Sequence, residues 1–321
     1  RVALYAEKWD VAAQAARDCA TAEGNLDLSK NGYAKIFELG INSPEVLFAV
    51  EFKSSVIDHA YDAYVRPSGD TKELGKQVYS GFVPTSELVD SYEMAGDGGN
   101  FSWEKHGKDP YANREPRFYA TILYNGADWM GRKIESFVGG KDGYKAYENA
   151  GAAGTTVTGY YLRKYLIDGD KTWVTSGSGQ DWIVLRYAEV LLNKAEALAM
   201  ENWNKNSAEA LQALNDVRAR VGLPARATAD KETFLEYVRH ERKVELAGEG
   251  FRYWDLRRWR LAEKVIDGQN VHGVKISKQS DGSFTYEQVD ADGGHKRIFY
   301  DRYYRFAIPL SERSNNSLCT N

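Results

Sequence analysis

The chain has 321 residues and a formal net charge of −4 at pH 7, which is enough length for one large domain or two closely packed ones. Its hydrophobic content of 43% and charged content of 27% exclude a disordered chain. The mildly acidic balance argues against nucleic acid as a partner. Aromatic residues make up 13% of the sequence, so some rings are candidates for exposed binding surfaces rather than core.

The first 24 residues predict two short helices. Val2–Ala6 is followed by a break at residues 8–10, and residues 11–22 form the second helix, with Asp10 as its N-cap and Gly24 as its end. Because the first helix begins at Arg1 without a capping residue, we expect the chain to be a fragment that starts inside a helix. No run of 18 or more apolar residues occurs within the chain.

The next 150 residues are rich in glycine and aromatic side chains and have no long helical period. Residues 43–52 predict a short helical start running into a buried strand, and residues 84–94 begin with a capping-box pattern. Phe118, Ala120, Ile122 and Tyr124 alternate along the chain, which predicts a strand.

Helical patterns return after residue 180. Residues 185–200 and 208–221 predict a helix pair with a turn near Trp203, and their alanine spacing is typical of tetratricopeptide-like pairs. Residues 241–259 predict a helical hairpin in which Glu241, Glu245 and Glu249 form one column and the hairpin's own arginines pair with carboxylates and stack on rings. Residues 274–286 contain the turn signal of a β-hairpin, expected to decorate the surface.

Three long segments carry a family resemblance. Residues 186–197, 214–224 and 241–259, in that order, resemble the C-terminal signature of the SusD/RagB family. The resemblance implies a mainly α fold of tetratricopeptide-like helical pairs (an α-α superhelix) with a long loop-rich insertion and a small β-hairpin. We therefore expect a truncated helix pair at residues 1–30, a ligand-facing insertion at 31–180, and the helical scaffold with a closing segment at 181–321.

The resemblance also implies a function. Members are outer-membrane lipoproteins of Bacteroidetes-type bacteria that bind glycans, or in some members peptides, and pass them to a TonB-dependent SusC-like transporter. This predicts a non-catalytic, surface-exposed, lipid-anchored glycan-binding subunit for nutrient uptake, with peptide capture as the alternative and a protein-protein scaffold ranked third. Membrane contact would come through an anchor outside this sequence.

The sequence does not favour catalysis or metal binding. A carbohydrate-active hydrolase needs only a carboxylate pair, but most acidic residues lie at helical spacing beside Arg or Lys, and the five histidines form no zinc motif. Two Asp-x-Asp loops, at residues 168–170 and 290–292, do not complete a calcium loop. No cofactor is expected, with calcium left open. Cys19 and Cys319 match no metal or redox motif, and whether they pair stays open.

Ligand-binding residues are predicted from local context within the insertion. Tryptophans in polar, glycine-rich loops can present a flat ring to a sugar, with polar groups beside it for the hydroxyls. The candidates are Trp103, Trp129 and Trp173 as platforms, with Tyr61, Tyr64 and His106 as neighbours.

Overall fold

A computed structural model describes residues 1–22, 32–149, 155–316 and 318. Its helices are α1 Val2–Tyr5, α2 Trp9–Ala22, α3 Gly32–Leu39, α4 Tyr61–Val65, α5 Asp70–Leu74, α6 Ser86–Val89, α7 Trp103–His106, α8 Pro116–Thr121, α9 Trp173–Ser176, α10 Tyr187–Arg220, α11 Lys231–Glu245, α12 Arg252–Arg258, α13 Ala262–Ile266 and α14 Leu310–Asn315. Its strands are β1 Val46–Val50, β2 Ile122–Leu123, β3 Asp128–Trp129, β4 Arg132–Lys133, β5 Tyr161–Leu162, β6 Trp182–Arg186, β7 His272–Lys278 and β8 Phe284–Asp290.

The longest helices form one packed layer. Helix α10 contacts both α2 and α11, and the core between them is rich in alanine, including Ala13, Ala195 and Ala210, which lets the helix axes approach closely. Backbone dihedrals at Asn202 break α10 into two halves. The Asn202 side chain then accepts a hydrogen bond from the Lys205 amide, 3.2 Å away, as the cap of the second half. The predicted helix pair is thus confirmed, with its break at Asn202.

The insertion leaves and re-enters this layer through one small sheet. Strand β1 pairs antiparallel with β6, so the first strand of the insertion lies beside the strand that leads directly into α10. The expectation that β1 is buried was wrong, because Phe48 is 56% exposed and Val50 43% exposed. The sheet therefore joins the two ends of the insertion and leaves one face of β1 in solvent.

Two further local expectations were wrong. Residues 116–121 form helix α8 because Pro116 occupies its first turn, where a missing amide donor costs nothing, and strand β2 begins only at Ile122. Asp10 lies inside the first turn of α2 instead of capping it. Gly24, predicted to end that helix, lies outside the described residues.

The predicted β-hairpin forms as β7 and β8 in register, but it is part of the core. Val274 and Ile276 are fully buried and pack with Phe118, Tyr160 and Val244. The hairpin therefore joins the insertion to helix α11 rather than decorating the surface.

The mainly α fold with small antiparallel sheets agrees with the fold class predicted from the sequence. Within the described ranges, no helix is both long enough and apolar enough to cross a membrane.

Candidate ligand-binding surface

Two tyrosines of the insertion form an exposed stacked pair. Tyr64 lies on α4, and the chain returns beside it after α5, where the amide of Tyr79 donates to the Ala63 carbonyl (2.7 Å) and the amide of Gly81 donates to the Tyr64 carbonyl (2.6 Å). This pairing places the Tyr64 and Tyr79 rings 5.1 Å apart at an interplanar angle of 27°. Tyr64 is 48% exposed, Tyr79 44% and the adjacent Phe82 62%. We call Tyr64, Tyr79 and Phe82 the aromatic platform.

A buried arginine fixes the backbone that carries the aromatic platform. Arg66, one residue beyond α4, is fully buried and donates to the carboxylates of Asp62 (2.8 Å) and Asp70 (3.4 Å). It also donates to the carbonyls of Ile167 and Asp170, at 3.2 and 3.1 Å. Because these partners come from both ends of the insertion, the backbone that carries the platform is fixed in place.

Trp129 and Trp173 are part of this support. Trp129 has no exposed surface and Trp173 is 1% exposed, and the Arg66 guanidinium lies 5.2 Å from the first ring and 5.1 Å from the second. The Trp129 indole N–H donates to Asp70, 3.0 Å away. The prediction that these two rings are ligand platforms was wrong, because both are buried and the Arg66 guanidinium covers a face that a ligand would need.

Trp103 and His106 lie in a different cluster. Trp103 is partly buried, donates its indole N–H to Asp90 (2.9 Å) and contacts the rings of Phe101 and Tyr286. Burial raises the pKa of Asp90 although the bond from Trp103 opposes that shift. His106 stacks on Phe101, with ring centroids 5.5 Å apart. These contacts give both side chains partners within the protein, so their role in ligand binding stays a prediction.

Tyr61 supports the platform from the same helix. Its hydroxyl donates to the Lys164 carbonyl (2.8 Å), its ring contacts Tyr165 and Trp182, and burial raises its pKa. Of the six predicted residues, Tyr64 is the one whose ring is exposed by more than a third. Tyr79 and Phe82 were missed, although two aromatics flanking the Ser80-Gly81 turn are a signal that the sequence offered.

A cavity beside α4 is lined by polar groups, including Asp62 of that helix. The cavity has a volume of about 490 Å³, and Asp62 and Lys53 line it together with Phe52, Tyr165 and Gln180. Carboxylate, ammonium and amide groups beside aromatic rings are the mixture that hydroxylated ligands require.

Three of the four carboxylates in the two Asp-x-Asp loops accept hydrogen bonds within the protein. Asp168 accepts from the Met130 amide (2.7 Å), Asp170 accepts from the Thr172 amide (2.8 Å), and Asp290 accepts from the Asn270 side chain (3.1 Å). Within the described part of the chain, no three or more His, Cys, Asp or Glu side chains are grouped so as to hold a metal ion. Cys319 lies outside that part.

Comparison with known proteins decides the family. The model of the SusD family matches residues 44–321 of this chain. The chain belongs to the SusD family. The resemblance carried by residues 186–197, 214–224 and 241–259 is thereby confirmed.

The similar proteins are longer than this member of the SusD family. SusD-like protein P38 of Formosa agariphila is 32% identical over 133 residues, which are 38% of this chain and 25% of that protein. A SusD-like protein of Bacteroides fragilis superposes with a TM-score of 0.80 and 24% identity, over 99% of this chain and 62% of that one. A SusD-like carbohydrate binding protein of the same species gives 0.78 and 26%, over 98% and 62%. The chain thus spans about three fifths of these structures.

Proposed function

We infer that this SusD-family chain captures oligosaccharide or polysaccharide on the aromatic platform without chemically altering it. The observation that carries the proposal is the stacked, half-exposed pair of Tyr64 and Tyr79 on a backbone fixed by Arg66. A sugar ring presents C–H groups on one face, and an exposed rigid ring binds that face at little entropic cost. One solved structure with this fold is described as carbohydrate binding, which supports the same ligand class.

The proposal extends to the cellular role. The protein delivers its glycan to a TonB-dependent SusC-like transporter, and a lipid anchor outside this sequence holds it on the outer surface of the outer membrane. No cofactor is proposed to take part. Peptide capture by the same surface is the alternative, because aromatic rings also bind extended peptides.

Calorimetry with panels of neutral polysaccharides and of peptides tests the ligand class. A polysaccharide should bind, and Tyr64→Ala and Tyr79→Ala should each weaken it about tenfold, since an exposed anchor contributes on the order of 1 to 2 kcal/mol. Tyr147→Ala is the matched control, because Tyr147 is 49% exposed elsewhere in the insertion. Binding of peptides alone, or loss of binding only in the control variant, would contradict the proposed site.

The absence of catalysis has its own measurement. Purified protein incubated with the bound polysaccharide should release no reducing ends. Steady release that follows the protein concentration would identify a hydrolase instead.

A further inference from the structure

Two segments at the end of the scaffold have a net charge opposite to that of the whole chain. Residues 252–264 and 296–313 contain ten Lys and Arg against four Asp and Glu, a net charge of +6 in a chain whose total is −4. The two segments lie together, because Arg257 donates to the backbone carbonyls of Tyr303 and Tyr304, the latter at 2.7 Å. Their apolar sides share a small core of Leu256, Ala262 and Phe299.

Exposed rings cover this positive region. Tyr253, Trp254, Tyr300, Tyr303 and Phe306 are between 40% and 69% exposed. Four of them form two pairs, with the Trp254 and Phe306 centroids 6.0 Å apart and the Tyr300 and Tyr303 centroids 5.4 Å apart, and Tyr253 contacts Trp254 at 5.2 Å. The Arg257 guanidinium lies 4.7 Å from the Phe306 ring and donates to the backbone carbonyl of Tyr303, so it contacts a residue of each pair. We call these five rings with Arg257, Arg260 and Arg302 the arginine-aromatic surface.

Among the described residues, the three arginines of this surface have no carboxylate partner. Arg260 stacks on Tyr304 and Arg302 on Tyr300, at 4.4 and 4.8 Å, and neither makes an ion pair with the carboxylates of the described residues. By contrast, Arg258 pairs with Glu196 and Asp255. A guanidinium held on a ring and left without an anion is free to donate to an acidic ligand.

A concave site adjoins the surface. A cavity of about 570 Å³ is lined by Trp254, Trp259, Tyr304, Arg257 and Arg260 and is large enough for one or two sugar rings. Its lining also contains Arg239, Arg258 and two carboxylates, Glu7 and Glu196, of which Glu196 is paired with Arg258. Rings for the C–H faces and guanidinium groups for acidic substituents therefore meet at one place.

We propose that the arginine-aromatic surface is a second ligand site, separate from the aromatic platform, that binds acidic polysaccharide. The charge complementarity of a +6 region in an acidic protein selects an anionic ligand. The stacked, unpaired arginines favour carboxylate or sulfate groups, which accept two parallel N–H donors. A neutral glycan would leave those donors unused and should be bound at the platform only.

The test measures binding of three probes to the full chain: dextran sulfate, polygalacturonate and neutral dextran. Binding of either acidic probe, weakened by added salt and absent for dextran, is expected, and the better probe shows whether sulfate or carboxylate is preferred. The double variant Arg260→Gln/Arg302→Gln should lose at least about tenfold in affinity. Phe306→Ala should weaken binding while keeping its salt dependence.

The control removes the same charge elsewhere. Lys105 and Lys205 are exposed, and Lys105→Gln/Lys205→Gln should change affinity by less than about twofold. Equal losses in the two double variants would show a general charge effect and overturn the site. Failure of both acidic probes to bind would also overturn it. A dimer in sedimentation that Arg260→Gln/Arg302→Gln dissociates would overturn it too, because the surface would then join two copies of the chain. Tyr64→Ala should leave acidic binding intact, which separates this site from the platform; loss there would also overturn it.

Discussion

Arg186 and Glu249 form a fully buried, bidentate ion pair in which both N–O distances are 2.7 Å. Arg186 is the last residue of β6, where the insertion ends, and Glu249 lies in the turn between α11 and α12. The pair therefore ties the exit of the insertion to the helical hairpin. Two parallel N–H donors fix the mutual orientation of these elements as well as their distance.

This pair belongs to a larger buried network. Glu245 accepts from Arg117 of the insertion (3.0 Å) and from Arg186 (2.7 Å), and Lys164 donates to Glu249 at 2.9 Å. Within the same network lie Glu45, Glu93, Glu115, Arg218, Arg220 and Glu241. The cations of this network come from the insertion, from the end of β6 and from α10. The hairpin's own Arg242 and Arg258 pair with Asp255, at 2.8 and 2.9 Å, and Arg258 lies on the Trp259 ring, as the sequence predicted. The network joins insertion and scaffold through charges that satisfy one another.

Removing one member of the network should strongly destabilise the fold. Arg186→Met leaves Glu245 and Glu249 short of a buried partner, for which a loss of about 3 to 5 kcal/mol in the free energy of unfolding is expected. Urea denaturation measures it. Lys133→Ala is the control, since its pair with Asp128 is exposed and should contribute about 1 kcal/mol or less. Similar small losses in both variants would contradict a stabilising network.

Stability should fall in acid because of the same carboxylates. Burial by itself raises the pKa of Glu245, but Arg220, Arg186 and Arg117 outweigh it and hold that pKa well below the ordinary 4.5. A carboxyl whose folded pKa is depressed binds its proton more readily in the unfolded chain. Its contribution is therefore complete above the ordinary value and lost as the pH falls below it.

The measurement is the free energy of unfolding between about pH 6 and pH 3. It should be nearly constant at the upper end and decrease below the ordinary glutamate pKa. Glu245→Gln, which cannot titrate at that position, should start less stable and decline less steeply. Parallel curves for the two proteins would show that Glu245 does not contribute to the acid response.

Sequence reasoning succeeded where the signal was local and failed where partners were distant. The helix pair within α10 and the β7–β8 turn are encoded by nearby residues, and both were predicted. The Glu241, Glu245 and Glu249 column gives no sign of burial, because partners such as Arg117 lie more than 100 residues away. Trp129 was misjudged for the same reason: its loop is polar, and only the fold brings Arg66 onto its ring.

Trp129→Ala should destabilise the insertion, and any loss of ligand binding should follow from that loss of stability. The indole is fully buried and donates to Asp70, so truncation should cost about 3 to 5 kcal/mol. Tyr64→Ala, at a half-exposed ring, should change stability by about 1 kcal/mol or less. Thermal unfolding followed by circular dichroism compares the two. A stable Trp129→Ala protein that fails to bind glycan would return Trp129 to the ligand site.

Arg258 should act on stability and not on glycan affinity. Its guanidinium is bound to Glu196 and to Asp255, at 2.7 and 2.9 Å, so Arg258→Ala leaves two mostly buried carboxylates without that donor. A loss of about 2 kcal/mol or more is expected. Arg260→Ala removes an exposed arginine two residues away and is the control. Unchanged unfolding with lost binding of a neutral glycan would reverse the assignment.

The close contact between the β-hairpin and the insertion should depend on Gly273. A Cβ atom at Gly273 would lie 2.4 Å from the Thr158 Cα, and the next residue, Val274, donates its amide to the Thr158 carbonyl at 2.9 Å. The backbones are therefore in direct contact, and Gly273→Ala must separate them or break that bond. We expect a loss of about 1 to 3 kcal/mol in the free energy of unfolding, as for overpacked cores. At Gly81 the nearest atom to an added Cβ is 3.6 Å away, so Gly81→Ala is the matched control and should be nearly neutral. If Gly273→Ala unfolds at the same urea concentration as the control, the hairpin is not held by this contact.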